Sequence, residues 1–402
     1  MKRSNEQERK AWRTAAWDML YLVTCSINSA VPEHKRVAEM DFHKVYSLSK
    51  SQSLEAMTYM ALEDLLKVND TVRKHDPEQI LEKWEESKNK AIRKTMLMNA
   101  ERGRLSAYLE EHKIWYLPLK GIVLCPMYPA FGMRQMSDND ILFDASYRQE
   151  VRKWFESQGY TVESYGKGNH DVYHKKPVYN FEMHTALFSE KTSKKLSSYY
   201  LSLKNRLFPV AGKKFEYVMS DEDFYIYMVA HIYKHYSNCG TGLRSLLDVY
   251  VYNRTKNNLN CEYLKEEFTK TDLCEFEKEM RDLAMKIFSS QFDYSSLTEK
   301  EQKTLYKLMF NHTYGTQENV WRKHVKETQP DGAKITTAVK IKYFLARLFP
   351  GKEHMEKWCE MYAPFFFRNR WLMPLAYIWR IVKADRKKTT RIKKEFETVR
   401  KM

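Results

Sequence analysis

Glycine and proline are scarce in this chain, 12 and 11 among 402 residues. Glycine supplies the positive-φ positions of tight turns and proline the rigid, donor-free ones. So few of each exclude a collagen-like or linker-rich protein and favour long regular elements, mostly helices. No uninterrupted apolar run approaches about 18 residues, so a membrane-spanning helix is not expected. The opening MKRSNEQERKAW is charged, without an apolar core or small-residue cleavage site, and no secretory leader is expected. Six cysteines (Cys25, Cys125, Cys239, Cys261, Cys274 and Cys359) never fall at CxxC spacing. They are expected as reduced, mostly buried thiols of a cytoplasmic protein, with no zinc site among them. Internal repeats and low-complexity segments are also absent.

What the chain does have is core-forming material and positive charge. Hydrophobic residues make up 43% and aromatics 14%, enough to exclude wholesale disorder. The formal net charge is +16, which selects for anionic partners such as nucleotides, acidic polymers or a membrane surface. Part of that charge is local: residues 380–402 hold ten Lys/Arg against three Asp/Glu. The preceding run mixes aromatics with Arg and Lys (FFFRNRWLMPLAYIWRIVKADRKK). It is expected as a core helix followed by a solvated basic one, with peripheral contact to an anionic membrane as the sharper reading. No specific nucleic-acid motif is recognisable.

Along the chain, four regions are expected. Residues 1–113 form a helical region, with helices at 5–31, 51–67 and 77–112, the last capped by Asp76 and Pro77. Residues 114–215 change period, in the order β-α-β-α-β-β-β, and Gly159 closes the second of those helices. Residues 216–340 are again helical, and 341–402 form a basic, aromatic helical region.

The chemistry concentrates between Trp115 and Asp144: WYLPLKGIVLCPMYPAFGMRQMSDNDILFD. Strand side chains alternate, so Asp138 and Asp140 project to one side. Two carboxylates that close repel unless a cation lies between them, and hard divalent ions take such oxygen ligands together with phosphate oxygens. The Lys120-Gly121 turn, opening a short helix, is a candidate phosphate cradle. In FEMHTAL, strand alternation puts Glu182 and His184 on one face.

The ordered set Leu119-Lys120-Gly121, Tyr128-Pro129, Gly132-x-Arg134, Asp138-x-Asp140-Ile141-Leu142 and Glu182-x-His184 resembles the polymerase-β-like nucleotidyltransferase superfamily. More narrowly, it is similar to the bacterial uncharacterised nucleotidyltransferase family proteins, over roughly residues 10–350. The resemblance implies an α+β, mainly helical protein, with a small α/β core flanked by helical regions. It implies Mg²⁺ (Mn²⁺ as a substitute) held by Asp138, Asp140 and Glu182, the three catalytic carboxylates. Lys120, Gly121, Arg134 and His184 would then contact a nucleoside triphosphate. The reaction implied is transfer of a nucleoside monophosphate to a hydroxyl of an acceptor that no motif names. The competing expectation is a nucleotide- or polyanion-binding scaffold of the same fold without turnover. Two departures stand out: many superfamily members have Gly-Ser or Gly-Gly where this chain has Lys120-Gly121, and Asn139 replaces an apolar residue between the aspartates.

Downstream, His231 and His235 sit at i, i+4, a zinc-site spacing, but without an evident third ligand. Arg244 and Asp248, also at i, i+4, are expected as an internal pair beside the nucleotide site.

Overall fold

The computed structural model describes residues 2–68, 79–190, 193–238, 240–290, 294–311, 321, 336–352, 355–356, 358–359, 363–382, 395 and 397. Asp76, Pro77 and most of the basic 380–402 tail therefore lie outside the described residues. The chain forms two compact units, Met1–Tyr236 with Thr241–Tyr314, and Ser237–Gly240 with Gly315–Met402.

Among the described residues, the first unit opens with five helices: α1 Lys2–Ile27, α2 His34–Ala38, α3 Phe42–Ser51, α4 Glu55–Val68 and α5 Ile80–Glu111. Asp41 caps α3 by accepting from the Lys44 N–H. The 32-residue α5 buries Trp84, Met98, Leu105 and Leu109 along one stripe, and the Trp84 indole N–H donates to the Glu55 carbonyl.

The period then changes, as the sequence indicates. β1 (Tyr116–Pro118), α6 (Gly121–Leu124), β2 (Asn139–Phe143), α7 (Arg148–Ser157), β3 (Thr161–Ser164), β4 (His170–Lys175) and β5 (Tyr179–His184) follow in order. They build a five-stranded mixed sheet in the order β1-β2-β5-β4-β3. Only β2 and β5 pair in parallel; the other neighbours are antiparallel. Alternation divides the sheet into two faces. Tyr116, Ile141, Phe143, Tyr173, Phe181 and Met183 pack against Leu105 and Leu109 of α5 and Val151 and Phe155 of α7. Asp140, Leu142, Glu182 and His184 belong to the opposite face.

Beyond the sheet come α8 (Lys194–Tyr199), a two-residue hairpin β6 (Phe208–Pro209) and β7 (Tyr217–Val218), and five helices. These are α9 Asp221–Tyr236, α10 Leu243–Thr255, α11 Cys261–Thr271, α12 Cys274–Ile287 and α13 Glu299–Phe310. Asp272, at φ +57°, caps α11 and separates it from α12. One apolar core runs from Ala15 and Leu62 in the N-terminal helices through Ile226 and Leu247 to Leu305 and Met309. The fold is α+β and mainly helical.

One buried ion pair ties the β1–β2 connection to α10. The Arg134 guanidinium grips both oxygens of Asp248, Nε to Oδ1 at 2.7 Å and Nη2 to Oδ2 at 2.9 Å, and the Tyr128 hydroxyl donates to Oδ1 at 2.8 Å. Asp248 had been expected to pair with Arg244; the fork comes instead from 114 residues upstream. Gly121 lies against this pair, since a Cβ there would stand 2.7 Å from Arg134 Nη1. Gly132, at φ +81°, passes so near Ile92 that a Cβ would lie 2.6 Å from its Cγ1.

The second unit includes α14 (Thr337–Leu348), α15 (Pro364–Arg368) and α16 (Met373–Val382). Met355, Cys359, Met373 and Ala376 form a small buried cluster there. Of the five described cysteines, all are free thiols; Cys25 and Cys359 are buried, whereas Cys261 and Cys274 are exposed, contrary to the expectation of mostly buried thiols. No described helix is long and apolar enough to cross a membrane.

Removing one partner of a buried pair strands the other charge, at a cost of about 3–5 kcal/mol. Asp248→Ala should therefore lower the urea-unfolding free energy of the protein by that amount. The paired apolar replacement Arg134→Met/Asp248→Leu should cost distinctly less, and equal costs would show that the pair is not buried as described.

Candidate active site

Strand register brings the acidic residues together. β2 pairs with β5 so that Asp140 lies directly opposite Glu182, and Leu142 opposite His184. Asp138, two residues before Asp140, enters the same face. One carboxylate oxygen from each of Asp138, Asp140 and Glu182 lies within 4.8 Å of the others. Three hard oxygen donors at that separation suit a divalent cation of the Mg²⁺ or Mn²⁺ type, so the donor set fits the ion that the motif implies.

Asn139, the odd residue between the aspartates, has a structural reason. Alternation turns it to the opposite face, where it is fully buried. Its Oδ1 accepts from Arg102 Nη1 at 3.1 Å and its Nδ2 donates to the Met98 carbonyl at 3.3 Å. An apolar residue would leave Arg102 unmatched; the amide instead pins β2 to α5.

Lys120 reaches into the acidic cluster. Its ammonium lies 2.6 Å from Asp140 Oδ1 and 3.6 Å from Glu182 Oε2. In the turn that carries it, the Ile122 and Val123 N–H groups donate to the Leu119 and Lys120 carbonyls. The helix it opens is a single turn, Gly121–Leu124.

His184 is 4% exposed and stands behind Asp140, its Nε2–H donating to Oδ1 at 2.9 Å. That bond fixes the tautomer, with Nδ1 bare. Arg134 is likewise enclosed, gripping Asp248. Both are expected to touch nucleotide; the structure places His184 against a carboxylate of the cluster and Arg134 on the loop that leads to it.

The electrostatics follow from crowding. Burial first, then the Asp140 charge, push Asp138 up to about 6 and Glu182 up to about 8. Burial also works against ionised Asp140, yet Lys120 and the His184 hydrogen bond outweigh it and hold this carboxyl well below the usual range. Burial likewise disfavours the Lys120 ammonium, and Asp140 outweighs it, so Lys120 stays charged. Burial lowers His184 to about 4, leaving it neutral.

Two basic groups frame the cluster that sequence patterning did not single out. Lys94 of α5 interacts with Asp138 and Arg244, and Lys234 of α9 with Lys120, Glu182 and Asp140; burial lowers both lysines. Lys94 was hidden in a run of charged residues that reads as a solvated helix face. Arg244, which the sequence did raise, donates from Nη1 to the Gln135 carbonyl at 3.2 Å and also acts on Asp138. His231 and His235 face each other at 3.2 Å between their Nε2 atoms. Among the described residues they join no group of three metal-capable side chains; His170, Glu182 and His184 do form a second such group.

The structure thus sets three converging carboxylates on one face of a small mixed sheet, with basic groups around them. The family model described as "Uncharacterised nucleotidyltransferase" matches residues 38–289, more than half the chain, and the protein belongs to that family. No curated protein and no solved structure matches it.

Carboxyls whose folded pKa is raised hold their protons more tightly in the fold than unfolded. Their stabilising contribution is complete below the ordinary carboxylate range and is lost as pH rises through about 6 for Asp138 and about 8 for Glu182. In EDTA, Tm should therefore carry a downward component across that window. Mg²⁺ should raise Tm more at the alkaline end than at the acidic end, and Glu182→Gln should flatten the difference. A Mg²⁺ increment that is the same at both ends would contradict this charge arrangement.

Proposed function

We propose that this protein transfers a nucleoside monophosphate from a nucleoside triphosphate to a hydroxyl of an acceptor molecule. The observation that carries the reading is the register of Asp140 against Glu182 with Asp138 on the same face. Asp138, Asp140 and Glu182 would hold the divalent ion, Mg²⁺ or Mn²⁺. When bound, that ion supplies charge neutralisation at the α-phosphate and at the departing pyrophosphate. Lys94 and Arg244, on the Asp138 side, bind triphosphate oxygens, the arginine as a fork and the lysine as a point charge. Glu182 takes the proton of the acceptor hydroxyl as its oxygen attacks the α-phosphorus. The new O–P bond forms as the bond to the bridging oxygen of the β-phosphate breaks, and pyrophosphate leaves. His184 keeps Asp140 oriented throughout.

A scaffold without turnover would have no use for a third carboxylate in register, so Glu182 supports catalysis over mere binding. Acceptor chemistry is left open between a surface-polysaccharide precursor, a protein hydroxyl and a small antibiotic-like alcohol. Action on the cytoplasmic side, in bacteria, is part of the proposal.

Calorimetry with each Mg²⁺–NTP tests the reading. One nucleotide should bind, and Asp138→Asn/Asp140→Asn should weaken it by about a hundredfold or more, since even losing a group that only orients a metal ligand costs about 10–100-fold. Identical behaviour of wild type and the double variant would sink the proposal.

A peripheral membrane role for the second unit has its own observation. Phe365, Trp371, Leu375 and Ile378 are exposed just before the basic tail, the mix that an anionic bilayer surface attracts. Co-sedimentation with phosphatidylserine vesicles should fall when residues 381–402 are removed and Trp371 is changed to Ser. Unchanged co-sedimentation would rule it out.

A further inference from the structure

Lys120 combines three properties that a phosphate-contacting lysine does not need. Its ammonium lies between two of the three carboxylates, 2.6 Å from Asp140 Oδ1 and 3.6 Å from Glu182 Oε2. Its side chain is only 19% exposed, so the charge is enclosed rather than reaching outward. Its backbone adopts φ +47°, ψ −117°, in the left-handed region that strains a non-glycine residue. A strained backbone thus delivers a buried cation into the acidic cluster. Such strain persists only where the surrounding structure over-determines it, and it concentrates at functional sites.

We propose that Lys120 is a built-in cation on the Asp140–Glu182 side of the site, so that the site takes one divalent ion per bound nucleotide, not two. This rests on the nucleotidyl-transfer reading above and specifies its ion requirement. Mg²⁺ needs its oxygen ligands at about 2.0–2.1 Å, in near-octahedral order. A second ion, lodged between Asp140 and Glu182 beside the one that the three carboxylates hold, would need the space that the ammonium fills.

The remaining ion belongs on the Asp138 side, adjoining Lys94 and Arg244, where the triphosphate is placed. Glu182, relieved of bridging a second ion, stays available to take the acceptor's proton.

The test counts Mn²⁺ by electron paramagnetic resonance in the presence of α,β-methylene analogues of the four nucleoside triphosphates. Their α–β linkage cannot be cleaved, so the reading is independent of turnover. Wild type should bind one Mn²⁺ per bound analogue. Lys120→Met, which keeps the shape and removes the charge, should bind two. Lys120→Gly, which also relieves the positive φ, provides the same reading should the methionine variant fail to fold. Two Mn²⁺ in wild type overturns the proposal and leaves nucleotidyl transfer standing. One Mn²⁺ in the folded charge-free variants also overturns it, because the ammonium would not be what excludes the second ion. No Mn²⁺ in any of them overturns the transfer reading itself, and this inference with it.

Discussion

Everything at this site depends on keeping three carboxylates close together in partial burial. Parallel pairing of β2 with β5 fixes Asp140 opposite Glu182, and their mutual repulsion has to be met by positive charge. Inside the protein it is met by Lys120 and, through a hydrogen bond, by His184. What these leave unneutralised is the driving force for binding a divalent ion. Burial, reinforced by that repulsion, makes Asp138 and Glu182 hold protons to higher pH than free carboxylates, while Asp140, touching both donors, does not.

The surrounding architecture serves that placement. A parallel pair cannot be closed by a hairpin, so the chain between β2 and β5 must cross over, and it does so through α7, β3 and β4. One sheet face is buried on α5 and α7, which frees the other for polar chemistry. Asn139 and Arg102 lock the strand carrying the aspartates to α5, and Arg134, Tyr128 and Asp248 lock the preceding loop to α10. Helices from both sides of the sheet thereby contribute basic groups to one place: Lys94 from α5, Lys234 from α9, Arg244 from α10.

Local signals made much of this legible in the sequence. Period-2 alternation put Asp138 with Asp140 on one side of their strand and Glu182 with His184 on one face of theirs. Gly159 ended α7 at the expected position, with φ +77°. What escaped was whatever depends on distant partners. Nothing near Arg134 announces that its guanidinium will meet Asp248, because a buried ion pair leaves no periodic trace. Lys94 is indistinguishable by pattern from the solvated lysines beside it, and only tertiary packing turns it toward Asp138. Asn139 seemed a departure from the motif until its opposite-face partners came into view.

The central claim is that the triphosphate is split between its α- and β-phosphates. Incubation of the protein and Mg²⁺ with a lysate and NTP labelled at either the α- or the γ-phosphate distinguishes this most directly. The account predicts that α-label becomes attached to an acceptor while γ-label leaves as pyrophosphate, with both lost in Asp138→Asn/Asp140→Asn. Transfer of γ-label with α-label remaining on free nucleotide would make the protein a phosphotransferase and contradict the account.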